Sequence, residues 1–306
     1  MSARIVHALE RDSKRPLALA IGFFDGFHRG HRAIARQTLR MRRPGWRSGV
    51  LTFSNHPSAF LRPGTEPPLL CTPEERVSAF AGAGFEECLF IRFDDRIATL
   101  SPQEFLEVLV DRLGVRAVVV GSSFRFGHKR AGDVAFMREY FDRREVAFVP
   151  LENATDGGER ISSTRIRELV ADGEVAAADR MIGGNGYEIR GVVELGQGRG
   201  HALGFPTANV RPPRKLLPKD GVYAALARYD GRDHPALVSI GSNPQFGGKQ
   251  RTVEAWLRDF HQTIYGRELA LRELRYVRAQ MLFEEVDELV AQMHRDVEAV
   301  AFPSYG

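Results

Sequence analysis

The chain has 306 residues, enough for two domains with buried cores, and 43% hydrophobic and 27% charged residues are typical of a soluble globular protein. A net charge of +4 favours anionic ligands, but the basic residues are not segregated, so we expect no nucleic-acid partner. No stretch approaches the roughly 18 apolar residues of a membrane span. A charged N-terminus and two cysteines without metal-ligand spacing predict a cytoplasmic protein with reduced thiols and no membrane contact.

The first half alternates short apolar strands with amphipathic helices, a pattern that predicts βαβ units around a mostly parallel sheet. The predicted strands are 17–24, 49–53, 88–93, 117–121 and 146–151, and the predicted helices are 31–42, 73–81, 102–113 and 133–144. Thr72-Pro73 and Ser101-Pro102 each indicate an N-cap followed by proline at the first helical position.

The pattern changes after two shorter predicted helices, 163–171 and 175–181. A glycine-rich break follows them, so we place the domain boundary there, giving domains 1–182 and 183–306. Closely spaced short strands then predict a small antiparallel barrel or sandwich, at 187–194, 222–229, 236–240, 252–260 and 269–277. A last helix, 284–300, has one apolar face that we expect to cover the barrel.

The segment GFFDGFHRGH, from Gly22 to His31, lies between a predicted strand and a predicted helix. Such a turn collects anions through free N–H groups and the helix dipole. His28 and His31 are three residues apart and share a helix face, and Gly30 leaves room for a phosphate beside the backbone. The pair therefore indicates a nucleotide triphosphate site; for an isolated pair, a solvated surface or a metal pair are the alternatives.

A second phosphate candidate is ISSTRIR, residues 161–167. Hydroxyls and free N–H groups at a helix start, together with a fixed positive charge, suit a pyrophosphate. The candidate ligands are Ser162, Ser163, Thr164 and Arg167. For the string alone, an ordinary N-cap with a surface arginine is the alternative.

The second half contains a glycine-rich stretch, GQGRGHALGFPTAN, at 196–209. Gly198, Arg199 and Gly200 can fold over phosphates, or they form a plain turn. Thr207 and Asn209 are two residues apart and share a face of an extended segment, where their oxygens can hold Mg²⁺.

These motifs together resemble one family. FDG followed by HxGH, and then ISSTxIR, resembles the FAD synthetase branch of the nucleotidyltransferases. LGFPTAN after GxGRG, followed by GVYA, IGSNP and TVE, resembles riboflavin kinase. The order of the motifs is that of the bacterial bifunctional riboflavin kinase/FAD synthetase family, and the resemblance covers nearly the whole chain.

The resemblance implies an α/β plus all-β protein. Its N-terminal domain would be a Rossmann-like nucleotidyltransferase domain with a mostly parallel sheet. Its C-terminal domain would be a small antiparallel β-barrel of riboflavin kinase type with a terminal helix. The barrel domain would phosphorylate riboflavin to FMN with ATP and Mg²⁺, and the first domain would transfer AMP from ATP to FMN, giving FAD and pyrophosphate.

The resemblance also assigns roles to single residues. Glu254 would be the catalytic base, although without the resemblance it would be read as an outward-facing strand carboxylate. His28 and His31 would stabilise the adenylyl transition state. Nucleotide contacts are implied for Gly22, Phe24, Asp25 and Gly30, and flavin contacts for Ser123, Phe124 and Arg278.

Some positions depart from the family pattern. Ser123 stands where the family usually has Asp or Asn, and Gln280 and Leu282 stand where Glu and Lys are expected. Ser123 motivates one alternative, a riboflavin kinase whose adenylyltransferase domain is weakened or inactive. A second alternative, of another class, is a non-catalytic flavin or nucleotide sensor. A transferase acting on another substrate is a third. The expected partners are small molecules, and the sequence is compatible with self-association.

Overall fold

The computed structural model describes residues 3–7, 9, 15–196, 205–242, 251–283 and 285–303. Contacts divide the chain into two compact units, Met1–Ser162 and Ser163–Gly306. The division lies before the helix pair 163–182, because these two helices contact each other and the second contacts a strand of the second unit. The domain boundary at 182/183 stays a prediction.

The first unit is built on a six-stranded sheet in which every neighbouring pair is parallel. Its strands are β1 (Arg4–Val6), β2 (Leu17–Ile21), β3 (Arg47–Phe53), β4 (Glu87–Ile91), β5 (Val115–Gly121) and β6 (Ala147–Leu151), in the order β1-β4-β3-β2-β5-β6. All five residues of β2 are buried. A strand covered on both faces reads as a continuous apolar run, which is why the sequence signal for it was strong.

Helices cover both faces of this sheet. Their bounds are α1 (Arg29–Met41), α2 (Pro57–Leu61), α3 (Pro73–Ala83), α4 (Asp95–Ala98), α5 (Pro102–Glu107) with a π-helical turn (Val108–Arg112), a 3₁₀ turn (His128–Arg130) and α6 (Val134–Asp142). One core packs α1 and α3 on the sheet, and the other packs α5 and α6. The predicted caps are confirmed, since Thr72 and Ser101 each form a capping box with a glutamate three residues on.

The first unit differs from the sequence prediction in several places, since β1, α2 and α4 were not predicted and two further differences lie after β2 and after β6. Strand β2 ends at Ile21 instead of residue 24, because the chain turns at Phe24, whose φ is +58°. A small hairpin, β7 (Thr155–Asp156) with β8 (Glu159–Arg160), follows β6 and was not predicted. Its strands are two residues long, too short for a hydrophobic period to show.

The second unit begins with α7 (Ser163–Ala171) and α8 (Val175–Ile182) and continues as a closed antiparallel barrel. The barrel strands are β9 (Glu188–Glu194), β10 (Thr207–Val210), β11 (Gly221–Tyr229), β12 (Arg232–Ser242), β13 (Arg251–Leu257) and β14 (Glu268–Arg278), in the order β10-β13-β12-β11-β14-β9. Helix α9 (Val286–Ala299) follows β14. Within the described ranges, no helix is long and apolar enough to cross a membrane.

Candidate active sites

The HxGH segment follows β2 at the carboxyl end of the sheet, where ligands of parallel sheets bind. The turn is strained, since Phe24 and Phe27 both have positive φ, at +58° and +35°. Asp25 holds the turn in place. Its buried carboxylate accepts hydrogen bonds from the backbone N–H groups of Leu70, at 3.0 Å, and Cys71, at 3.1 Å. The structure therefore gives Asp25 backbone partners, and its predicted contact with nucleotide stays a prediction.

His28 and His31 are brought together as the sequence spacing predicted. Their rings stack with centroids 3.6 Å apart and planes 20° apart. His28 is the N-cap of α1, and its Nδ1 accepts from the backbone N–H of His31 at 3.4 Å. In a neutral ring the proton then lies on Nε2. Phe24 packs edge-on against His31, with ring centroids 5.2 Å apart.

Both histidines are neutral at pH 7. Burial lowers the pKa of His28 to about 4; Asp25 opposes this shift and the positive charge of Arg160 adds to it. The pKa of His31 is lowered well below its ordinary value by burial and by His28. The Nδ1 atom of His31 is buried and has no hydrogen-bond partner among the described residues. The pair can thus present uncharged N–H groups to an oxyanion.

Two glycines of the segment lie close to neighbouring aromatic and imidazole rings. A Cβ at Gly30 would lie 3.1 Å from Cε1 of His28, and a Cβ at Gly22 would lie 3.0 Å from the ring of Phe24. Both distances are tighter than ordinary van der Waals contact. The glycines therefore leave room for the ring positions, and their predicted nucleotide contacts stay predictions.

Arg76 of α3 is a part of this site that sequence reasoning missed. It is fully buried, and its Nη1 donates to the carbonyls of Phe23, at 2.9 Å, and Phe53, at 3.1 Å. Its guanidinium lies 4.4 Å from the centre of the Phe23 ring. Arg76 therefore connects the chain after β2 to the end of β3. Sequence alone does not identify a buried arginine in a helix, because a helical arginine usually faces solvent.

The two flavin candidates of the first unit lie in the loop after β5. Ser123 is exposed, and its Oγ accepts a hydrogen bond from Nη2 of Arg160 at 3.2 Å. The Phe124 ring stacks on Phe126 with centroids 5.9 Å apart. Sequence reasoning named Ser123 but not its arginine partner, which lies on the unpredicted hairpin.

The ISSTRIR segment crosses the division between the two units. Ser162 ends the first unit, and α7 begins at Ser163, as predicted. Thr164 is exposed, and Arg167 is half-buried. Their roles toward pyrophosphate stay predictions.

In the second unit, the candidate base and a candidate metal ligand are direct neighbours. Asn209 of β10 pairs with Glu254 of β13, and Thr207 pairs with Trp256. The residues alternating with them, such as Val253 and Ala255, are buried in the barrel. Because side chains alternate along a strand, Thr207, Asn209 and Glu254 share the opposite face of the barrel wall.

The glycine-rich stretch begins against this face. A Cβ at Gly196 would lie only 2.0 Å from Nδ2 of Asn209, so a larger residue there would displace the Asn209 side chain. The other phosphate candidates, Gly198, Arg199 and Gly200, lie outside the described residues. Thr207 and Asn209 offer hydroxyl and amide oxygens, the donor type that Mg²⁺ prefers, so the residues present fit this ion.

Arg278, the third flavin candidate, has a partner in α9. Its Nε and Nη2 donate to the carboxylate of Asp296 at 3.0 and 2.6 Å, so the pair binds α9 to the barrel strand β14. Two residues further on, Nε2 of Gln280 donates to Oγ of Ser239 at 3.2 Å. Ser239 is the cross-strand neighbour of Glu254 on β12, so Gln280 enters the same face of the barrel. The flavin contact of Arg278 stays a prediction.

Comparison with known proteins agrees with both halves of this description. The FAD synthetase family model matches residues 10–165, and the riboflavin kinase family model matches residues 183–302. The bifunctional riboflavin kinase/FMN adenylyltransferase of Listeria monocytogenes is 36% identical over 283 residues, which cover 91% of this chain and 89% of that relative. The enzyme of the same name from Escherichia coli K12 is 33% identical over 296 residues, covering 96% and 94%.

A solved structure shows the same fold. The crystal structure described as a macrolide-efflux protein from Streptococcus pneumoniae matches with a TM-score of 0.86 at 28% identity, covering 97% of this chain and 98% of that one. The parallel sheet with its HxGH turn and the closed barrel with its Asn209–Glu254 pair correspond to the two matched family models in order. The chain therefore belongs to the bifunctional riboflavin kinase/FMN adenylyltransferase family.

Proposed function

We propose that the chain makes FAD from riboflavin in two steps, each in one of its two matched domains. In the first step the barrel domain transfers the γ-phosphoryl group of ATP to the 5′-hydroxyl of riboflavin, giving FMN and ADP. In the second step the N-terminal domain transfers AMP from another ATP to FMN, giving FAD and pyrophosphate. The presence of both family domains in one chain supports this function.

The single observation that carries the kinase step is the Asn209–Glu254 pair. Glu254 accepts the proton of the 5′-hydroxyl as its oxygen attacks the γ-phosphorus, and a positioned general base contributes roughly 10²–10⁴-fold in rate. Thr207 and Asn209 would hold Mg²⁺ together with the phosphates of ATP. When bound, this ion neutralises charge on the transferred phosphoryl group. Gly198, Arg199 and Gly200 would cover the phosphates.

The adenylyl step uses the neutral histidine pair. His28 donates from Nε2 and His31 from its ring N–H to the oxygens of the α-phosphorus, where negative charge increases during attack. Neutral donors suit this role, because His28 is buried, where a hydrogen bond is electrostatically stronger than in water. Ser162, Ser163, Thr164 and Arg167 would hold the leaving pyrophosphate, and Ser123 and Phe124 would contact the flavin of FMN. Arg278 would contact the flavin bound in the barrel domain.

The same proposal covers partners and location. Riboflavin, FMN and ATP are the expected partners; nucleic acid is not expected, and self-association is compatible with the sequence. The described cysteines, Cys71 and Cys88, are both free thiols, which supports a cytoplasmic location.

The experiment is to incubate the purified chain with riboflavin, ATP and Mg²⁺ and to separate the flavins by chromatography over time. We expect FMN first and FAD afterwards. FMN alone would favour the kinase with an inactive adenylyltransferase domain. Bound flavin without any product would favour the non-catalytic sensor.

A further inference from the structure

Two side-chain contacts between described residues connect the hairpin β7–β8 to the rest of the first unit. Nη1 of Arg29, at the start of α1, lies 2.6 Å from Oδ1 of Asp156 in β7. Nη2 of Arg160, at the end of β8, donates to Oγ of Ser123 at 3.2 Å. The hairpin therefore connects the helix that begins the HxGH site to the loop that carries the flavin candidates.

Arg160 is an exposed cation with a neutral partner. Within the described part of the chain its guanidinium forms no ion pair, whereas Arg29 and Arg125 of the same unit each pair with an aspartate. The bond to Ser123 uses one of five N–H donors of the guanidinium. The remaining donors form a planar fork that can bind a phosphate through two parallel hydrogen bonds.

Arg160 also lies within electrostatic reach of the histidine pair. Its charge lowers the pKa of His28, in addition to the larger effect of burial. The chain entering the hairpin passes beside the HxGH segment, since a Cβ at Gly30 would lie 3.7 Å from Cβ of Ala154. Arg160 thus donates a hydrogen bond to Ser123, a candidate flavin contact, and its charge lowers the pKa of His28, a candidate for the adenylyl step.

We propose that Arg160 binds the phosphate of FMN and holds it for attack on ATP. In this step an oxygen of the FMN phosphate forms a bond to the α-phosphorus, the bond from that phosphorus to the bridging oxygen breaks, and pyrophosphate leaves. The FMN phosphate carries a charge of about −1.5 to −2 at pH 7, so the attacking oxygen requires no base. Repulsion between this anion and the triphosphate opposes the approach, and the guanidinium offsets it. The assignment rests on the proposed adenylyl transfer.

The test compares Arg160→Gln, Arg160→Lys and the control Arg143→Gln, which removes an exposed arginine of the same unit that pairs with Glu139. FAD formation is measured against FMN concentration at saturating ATP. We expect Arg160→Gln to raise the KM for FMN by roughly 10- to 100-fold, because a charge-assisted hydrogen bond to the phosphate is lost. The KM for ATP should not change. Arg160→Lys should recover only part of the affinity, because it keeps the positive charge but not the planar fork, and Arg143→Gln should behave as wild type.

Two further measurements distinguish phosphate binding by Arg160 from a purely structural role of this residue. Sulfate should compete with FMN in the wild type but not in Arg160→Gln, and phosphorylation of riboflavin by the same preparation should be unchanged. An unaltered KM for FMN, or an equal rise in the KM values for FMN and ATP, would overturn the assignment. Wild-type protein that forms no FAD would overturn the proposed function together with the assignment, whereas an active wild type with an unaffected Arg160→Gln variant would overturn the assignment alone.

Discussion

Asn209 of β10 and Glu254 of β13 lie directly opposite one another in the barrel wall. Directly paired residues of antiparallel strands have Cβ atoms about 5 Å apart on the same face. The barrel therefore places an oxygen donor suited to Mg²⁺ beside a carboxylate suited to a hydroxyl proton, although the two residues are distant in sequence.

Glu254→Gln should reduce FMN formation by roughly 10²–10⁴-fold, because the amide cannot accept the proton of the 5′-hydroxyl. Conversion of supplied FMN to FAD should continue at the wild-type rate. Glu268→Gln is the matched control, since it changes another strand carboxylate of the barrel, one paired with Arg190. Loss of both activities in Glu254→Gln would show that the two steps are not independent.

His31→Ala should abolish FAD formation from FMN and leave riboflavin phosphorylation unchanged, because it removes one of the two stacked rings. The control is His7→Ala, which removes an exposed histidine of the same unit. Both reactions are followed by flavin chromatography. Undiminished FAD synthesis in His31→Ala would remove the HxGH segment from the mechanism.

Gly30→Ala separates catalysis from stability. Alanine is a better helix former than glycine by about 1 kcal/mol, so the thermal midpoint should not fall. Its Cβ, however, would lie 3.1 Å from the His28 ring, so the ring must shift by a few tenths of an ångström within the stack. We expect a clear loss of FAD synthesis at an unchanged Tm; full activity would mean that the ring positions in the stack are not required.

The buried His28 should make the protein acid-sensitive. Its folded pKa of about 4 lies below its ordinary 6.5, so the unfolded chain binds more protons between these values. Stability is therefore retained above pH 6.5 and falls as the pH drops toward 4, by roughly 2 kcal/mol between pH 7.5 and 5. His28→Asn keeps an N-cap and cannot titrate, so its denaturant-measured stability should change less over this range. If the free energy of unfolding changed equally with pH in the wild type and in His28→Asn, the claim that His28 is buried as a neutral ring would be contradicted.

Arg278→Gln should destabilise the chain by roughly 3 kcal/mol, because it leaves the carboxylate of Asp296 buried without its guanidinium. Denaturant unfolding measures the loss, and Asp296→Asn should also destabilise the chain. A raised KM for riboflavin with unchanged unfolding would instead make Arg278 a flavin ligand.

Much of this fold could be predicted, because hydrophobic residues recur along its longer strands and helices with a clear period. The buried parallel strands and the capped helices α3 and α5 were predicted within a few residues. The short elements were missed, among them β1, β10 and the hairpin β7–β8, since two to four residues carry no measurable period.

In the candidate sites, too, sequence predicted the features that are local in the chain and missed those that depend on tertiary contacts. The spacing of His28 and His31 predicted their proximity, because it is local to one helix start. Sequence could not show the partners that come from elsewhere in the fold: Arg76 behind the turn, Arg160 against Ser123, and Asp296 against Arg278. Such contacts depend on tertiary packing, which a single sequence does not encode locally.

The most direct test of two independent sites in one chain is to mix the Glu254→Gln and His31→Ala variants with riboflavin, ATP and Mg²⁺ and to measure FAD. Alone, the first variant should form flavin products roughly 10²–10⁴-fold more slowly than the wild type, and the second should stop at FMN. Mixed, they should form FAD, because FMN released by one barrel is used by the N-terminal domain of the other protein. FAD formed from riboflavin at the wild-type rate by either variant alone, or no FAD from the mixture while FMN accumulates, would contradict the assignment.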